Sequence, residues 1–187
     1  MLNDVKKELL KKNSNTTLVE ELANSILTYS DLLPSRNQNY KFDIEKFVDV
    51  NGKTGIYLQY AQVRAGKILN QYQTQNNKEV LDNLNEDERK LVFEITKLPY
   101  YFFKSLEKNE PHHIAEYAYS LCQIFNSFYS NNKIFSASIS ETVMNQRLFI
   151  VKSFYTTIHT VFELLGMSPV NDCLLYTSPS PRDVSSS

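Results

Sequence analysis

From Met144 to Leu165 the large apolar residues fall at alternating steps of four and three: Met144, Leu148, Val151, Tyr155, Ile158, Phe162 and Leu165. Residues so spaced share one side of an α-helix, which makes a turn every 3.6 residues. A stripe of that length has to be covered by other elements. One such helix therefore commits its chain to a helical bundle. Gly166 follows at once and offers the left-handed residue on which helices end.

The same period recurs along most of the chain. Leu2, Val5 and Leu9 line a first short helix, and "TLVE" (Thr17 to Glu20) reads as a capping box ahead of a stripe of Leu18, Leu22, Ile26 and Leu27. The pattern is lost between Pro34 and Asn51, then resumes from about Thr54 to Tyr72 before the polar stretch "QTQNNKEV", an expected exposed loop. Asn85, followed by Glu86, Asp87 and Glu88, is a strong helix start with carboxylates at the positive end of the dipole. Leu91, Ile95 and Leu98 form that helix's stripe, and Pro99 its expected end. "YYFFKSLEK" gives a short helix, and Pro111 opens another with Ile114, Tyr117, Leu121, Ile124, Phe125 and Phe128 on its apolar face. "SISE" (Ser138 to Glu141) is the capping box expected to head the final long helix. The predicted fold is all-α: an antiparallel helical bundle over 51–171, preceded by a short helical stem over 1–50. Residues 172–187, rich in Ser and Pro, are expected to be disordered and foreign to the rest.

Composition narrows the partners. A formal net charge of −1 gives no global attraction to nucleic acid, so contact with RNA has to come from a local patch. Two cysteines, Cys122 and Cys173, make neither a disulfide framework nor a four-ligand metal site. No apolar run is read as reaching the roughly 20 residues that span a bilayer. The charged amphipathic start, "MLNDVKKELLKKN", lacks the apolar core of a secretory signal. A reducing, cytoplasmic setting follows.

Catalytic patterns are absent. His112 and Glu116 stand one helical turn apart in "HHIAE", as metal ligands could, but no further ligand joins them and no metal site is expected. Cys122 and His159 lie among apolar residues of long helices, where a structural role is the natural reading. There is no phosphate-binding glycine loop and no nucleophile elbow. The conspicuous resource is aromatic, with 12 Tyr and 11 Phe but no Trp. In "NGKTGIYLQYAQVRAGKIL" Tyr57 and Tyr60 follow two of the four glycines, with Gln59 between them and Arg64 one turn on. Such side chains can stack on splayed bases, read base edges and hold phosphate. They equally suit a packed helix start or a protein interface.

This stretch resembles a signature of arginyl-tRNA synthetases: a glycine loop (Gly52, Gly55), then Tyr57, Leu58, Gln59, Tyr60 and Arg64. Upstream, Ala23, Tyr29, Asp31, Leu32, Arg36, Phe42 and Asp43 match a family segment in order. Downstream, Pro111, Tyr117, Leu121, Phe125 and Tyr129 resemble a helix of the family's anticodon-binding domain, and Arg147 and Leu148 through Leu164, Leu165 and Gly166 its last helix. The family's HIGH and KMSKS signatures and the Asp-Ala-Leu-Arg tetrapeptide are not in this sequence. The resemblance implies the C-terminal part of arginine–tRNA ligase, stem plus anticodon-binding domain, with Met1 the start of a piece that is inactive by itself. It implies tRNA-Arg as partner, contacted by Tyr57, Gln59, Tyr60, Arg64 and Arg147. ATP and magnesium are cofactors of the intact, monomeric enzyme and not of this stretch, and neither DNA nor membrane is a partner. The glycine loop is read as a flexible hinge between stem and bundle. Two alternatives stand beside this: an anticodon domain like that of cysteinyl-tRNA synthetase, and a non-catalytic helical interaction module.

Overall fold

The computed structural model describes residues 1–11, 15–35, 43–49, 52–72 and 81–171. Among the described residues there are eight helices and no strand, as the periodicity requires: α1 (Leu2–Leu10), α2 (Thr16–Leu32), α3 (Ile44–Phe47), α4 (Gly55–Gln71), α5 (Glu86–Ile95), α6 (Leu98–Lys108), α7 (His112–Asn131) and α8 (Glu141–Leu165). The loop expected at 73–80, Arg36, Phe42 and the tail at 172–187 lie outside the described residues.

Helix starts follow the local side-chain chemistry, with two shifts from expectation. Asn15, not Thr17, caps α2: its backbone is extended and its side chain accepts from the Leu18 amide at 3.2 Å. Ser140 caps α8 through the Val143 amide at 3.3 Å, while the Ser138 hydroxyl is paired with Ser136 at 2.8 Å. A cap residue must itself stand outside the helix, and the two-residue ambiguity in each motif is settled by which one is extended. Asn85 and Glu88 form a reciprocal capping box at α5, both bonds 2.9 Å. Pro99 does not end α5, which stops at Ile95; it lies in the first turn of α6, where a missing N–H goes unmissed.

α4 is the shared element. It runs antiparallel to α8, with Gln62 against His159 and Gly66 against Tyr155. It runs parallel to α7, with Tyr57 against Tyr119 and Arg64 against Asn126. The larger core lies between α4, α5, α7 and α8, where the Phe125 and Phe154 rings stack at 3.9 Å. A second core joins Val5, Leu9, Leu22 and Ile26 to Ile56 and Val63 of α4 and to Val170. The two cores thus lie on opposite flanks of one helix.

Gly55 makes that packing possible. A Cβ there would stand 2.5 Å from the Ser25 carbonyl oxygen and 2.9 Å from the Ile26 nitrogen. The glycine serves a close backbone approach between α2 and α4, which overturns its reading as a flexible hinge. A second correction concerns α8, the one described helix long and apolar enough to cross a membrane by length and composition. It also carries Arg147, Lys152 and Glu163, and it buries Leu148, Val151, Phe154, Ile158 and Phe162 in the bundle.

Candidate nucleic-acid interface

Thr54 fixes the start of α4 twice over. Its hydroxyl accepts from the Tyr57 amide at 3.2 Å and donates to the Asp49 carbonyl at 2.6 Å. That places Tyr57, Tyr60 and Arg64 on successive turns facing the flank of α7. Tyr57 is half-buried, its ring 5.3 Å from that of Tyr119. Burial pushes its hydroxyl pKa up, while a bond to the Asn126 side chain works against that rise. Arg64 lies between two rings, 4.4 Å from the centre of Tyr60 and 4.7 Å from that of Tyr129. Its guanidinium donates to Asn126 Oδ1 at 2.8 Å and to the Tyr60 hydroxyl at 2.6 Å. At one end Lys53 pairs with Glu116 at 2.8 Å and sits 5.2 Å above the Tyr119 ring.

The result is a ladder of Lys53, Tyr119, Tyr57, Asn126, Arg64, Tyr60 and Tyr129 along the α4–α7 seam. Two of the five Arg64 donors fix the plane of its guanidinium, which holds a cation at a set angle beside partly exposed rings. Rings of this kind offer stacking faces, and an oriented arginine suits a phosphate or a base edge. Tyr119, Asn126 and Tyr129 were not singled out as site residues from sequence. They repeat, with Gln123, at helical spacing beside the apolar stripe of α7, and that second stripe was the available signal.

Two of the sequence candidates do not join the ladder. Gln59 is 0% exposed. Its amide nitrogen donates to Ser25 Oγ at 2.8 Å and to the Ser168 carbonyl at 2.7 Å, and its oxygen accepts from the Val170 amide at 3.2 Å. It crosslinks α2, α4 and the segment after α8, and cannot present its edge to a base. Arg147 lies at the other end of α4, where the Tyr72 hydroxyl meets Asn145 at 3.4 Å. Its Nε donates to Glu88 Oε1 at 2.8 Å and its Nη1 to the Lys133 carbonyl. Gln146 adds a bond to the other Glu88 oxygen at 3.2 Å. Glu88 is 2% exposed, so Arg147 neutralises a buried carboxylate and ties α8 to α5. The hydrogen bonds that these two residues make are thus spent inside the protein, away from the ladder.

The imagined chemistry elsewhere is also resolved. Cys122 is fully buried and burial pushes its thiol pKa far up, away from nucleophilic character. His159 meets Gln62 at 3.2 Å and the Tyr155 ring at 4.2 Å, and burial lowers its pKa. Glu116 is engaged by Lys53 and does not pair with His112.

The arginine–tRNA ligase of Francisella tularensis subsp. novicida (strain U112) is 31% identical over 170 residues, 87% of this chain and 29% of that protein. The Leuconostoc mesenteroides enzyme of the same name is 28% identical over 165 residues, 86% of this chain and 29% of its own length. The chain thus spans less than a third of these curated relatives. Among solved structures, the Plasmodium falciparum arginyl-tRNA synthetase superposes with a TM-score of 0.76 at 29% identity, covering 91% of this chain and 32% of that one. The Thermus thermophilus arginyl-tRNA synthetase gives 0.81 at 21% identity, covering 91% and 30%, a likeness of fold. The model of the DALR anticodon binding domain matches residues 58–172, more than half of the sequence and every helix from α5 to α8. The chain belongs to the DALR anticodon binding domain family.

Proposed function

We propose that this chain recognises the anticodon stem-loop of tRNA-Arg, as the C-terminal part of an arginine–tRNA ligase. The observation that carries the proposal is the ladder on α4 and α7, where Arg64 is held between Tyr60 and Tyr129 inside the matched family domain. Residues 1–50 are the stem in this reading and 51–171 the anticodon-binding bundle. Tyr57 and Tyr60 supply ring faces for splayed bases, and Arg64 a positioned cation for phosphate. With a net charge of −1, attraction is local to this seam, and specificity rests on the few bases it touches. ATP and magnesium belong to the intact enzyme, in the part of the relatives that this chain does not span. The intact enzyme is cytoplasmic and monomeric in this reading.

Arginine codons share a middle guanine, so their anticodons share a middle cytosine, and a domain serving all of them should sense that base. Fluorescence anisotropy with a tRNA-Arg transcript, and with one altered at the middle anticodon base, tests this. We expect the alteration to weaken binding by about 1–3 kcal/mol, the usual cost of a lost base contact. Equal affinity for both transcripts would leave the seam without an anticodon-reading role.

A further inference from the structure

Where α6 turns into α7, three side chains converge that the RNA-binding reading leaves unused. α6 ends at Lys108, Asn109 adopts the left-handed conformation, and the Ser105 hydroxyl donates to the Glu110 carbonyl at 3.0 Å. This fixed corner holds Glu110 beside the first turn of α7. His113 Nε2 lies 3.4 Å from Glu110 Oε2, and His112 Nδ1 lies 3.7 Å from the same oxygen. The two imidazole rings are 4.0 Å apart, and one ligand atom from each of the three residues falls within 4.8 Å of the others. His112 Nδ1 is buried and has no hydrogen-bond partner among the described residues. Leaving such a nitrogen unmatched is unfavourable, and a bound cation would satisfy it.

We propose that Glu110, His112 and His113 form a site for a divalent first-row transition metal of the zinc class. Zinc bonds of 2.0–2.2 Å in tetrahedral array set ligand atoms about 3.4 Å apart, close to both distances to Glu110. Two imidazoles and one carboxylate are the ligand set of three-coordinate zinc sites that keep a fourth position for water. Lys104, Lys108 and the positive end of α7 oppose a cation, whereas the Glu110 carboxylate and the carbonyl end of α6 favour it. The balance points to a weaker site than a four-thiolate centre. Because the ligands span only residues 110–113, the metal would pin the corner without closing a long loop.

The test is calorimetric titration of Zn2+ into the full chain carrying Cys173→Ser, which removes the thiol outside the described residues. The proposal requires one zinc per chain, with Glu110→Gln and His112→Gln each weakening binding about tenfold or more. His159→Gln, which alters the third histidine, should leave it unchanged. A second measurement avoids any folding defect in the variants: in the NMR spectrum of the Cys173→Ser chain, added zinc should shift the ring protons of His112 and His113 and spare those of His159. Absence of binding, binding unaltered in both ligand variants, or equal shifts at all three histidines would overturn the site.

Discussion

Gln59 and Arg147 show how one side chain can carry opposite meanings before and after folding. Both have the chemistry of RNA readers, and both spend it inside the protein. Replacing Gln59 with Ala strands Ser25, the Ser168 carbonyl and the Val170 amide without their shared partner. We predict a stability loss of about 2–3 kcal/mol by urea denaturation, with tRNA affinity of the folded protein unchanged. Arg147→Ala leaves the buried Glu88 carboxylate without its counter-charge, and we predict a loss of about 3–5 kcal/mol in the same measurement. If either variant keeps its stability and loses tRNA binding, the structural assignment of that residue is wrong. Spacing alone could not separate these residues from Tyr60 and Arg64. Gln59 lies one step from Tyr60 on α4, and that step turns it from the seam to the Ser25 side.

At the scale of elements, sequence reveals which faces are apolar more readily than which neighbour each face will meet. The stripes of α7 and α8 were legible because large residues recur at the helical period without interruption. The caps of α2 and α8 were misplaced by two residues because Thr, Ser and Asn all cap, and only backbone geometry distinguishes adjacent candidates. The need for Gly55 was visible only as a rare residue in a loop, since its reason lies in Ser25, thirty positions upstream. Gly55→Ala places a Cβ against the backbone of α2 and should cost about 1–3 kcal/mol, read as a lowered urea midpoint. A neutral effect would mean that α2 and α4 separate at no cost, and the hinge reading would return. The seam itself was half legible: the α4 residues stood out beside the glycines, whereas their α7 partners were hidden in a helix noted for its core.

For the whole molecule, the two cores meeting on α4 imply that they unfold together. Half-buried histidines should give that transition a pH dependence. Burial holds His159 below its ordinary value of 6.5, and His113 is lowered first by burial too. The unfolded chain then binds protons more readily, so this contribution is full above pH 6.5 and is lost as pH falls through the lower folded values. His159→Gln should flatten the decline of the urea midpoint between about pH 7 and pH 5. An unchanged slope would show that His159 takes up its proton equally in both states.

The central claim is that the α4–α7 seam is where this molecule meets RNA, and Tyr60→Ala tests it most directly. Tyr60 is half-buried and forms one wall of the Arg64 cage, while the cores lie on other faces of α4. Urea denaturation and tRNA-Arg binding should be measured on the same preparation of the variant. The account predicts a protein that remains folded and binds tRNA-Arg more weakly by about 1–3 kcal/mol, the worth of a lost base stack. Full tRNA affinity in the folded variant would contradict it.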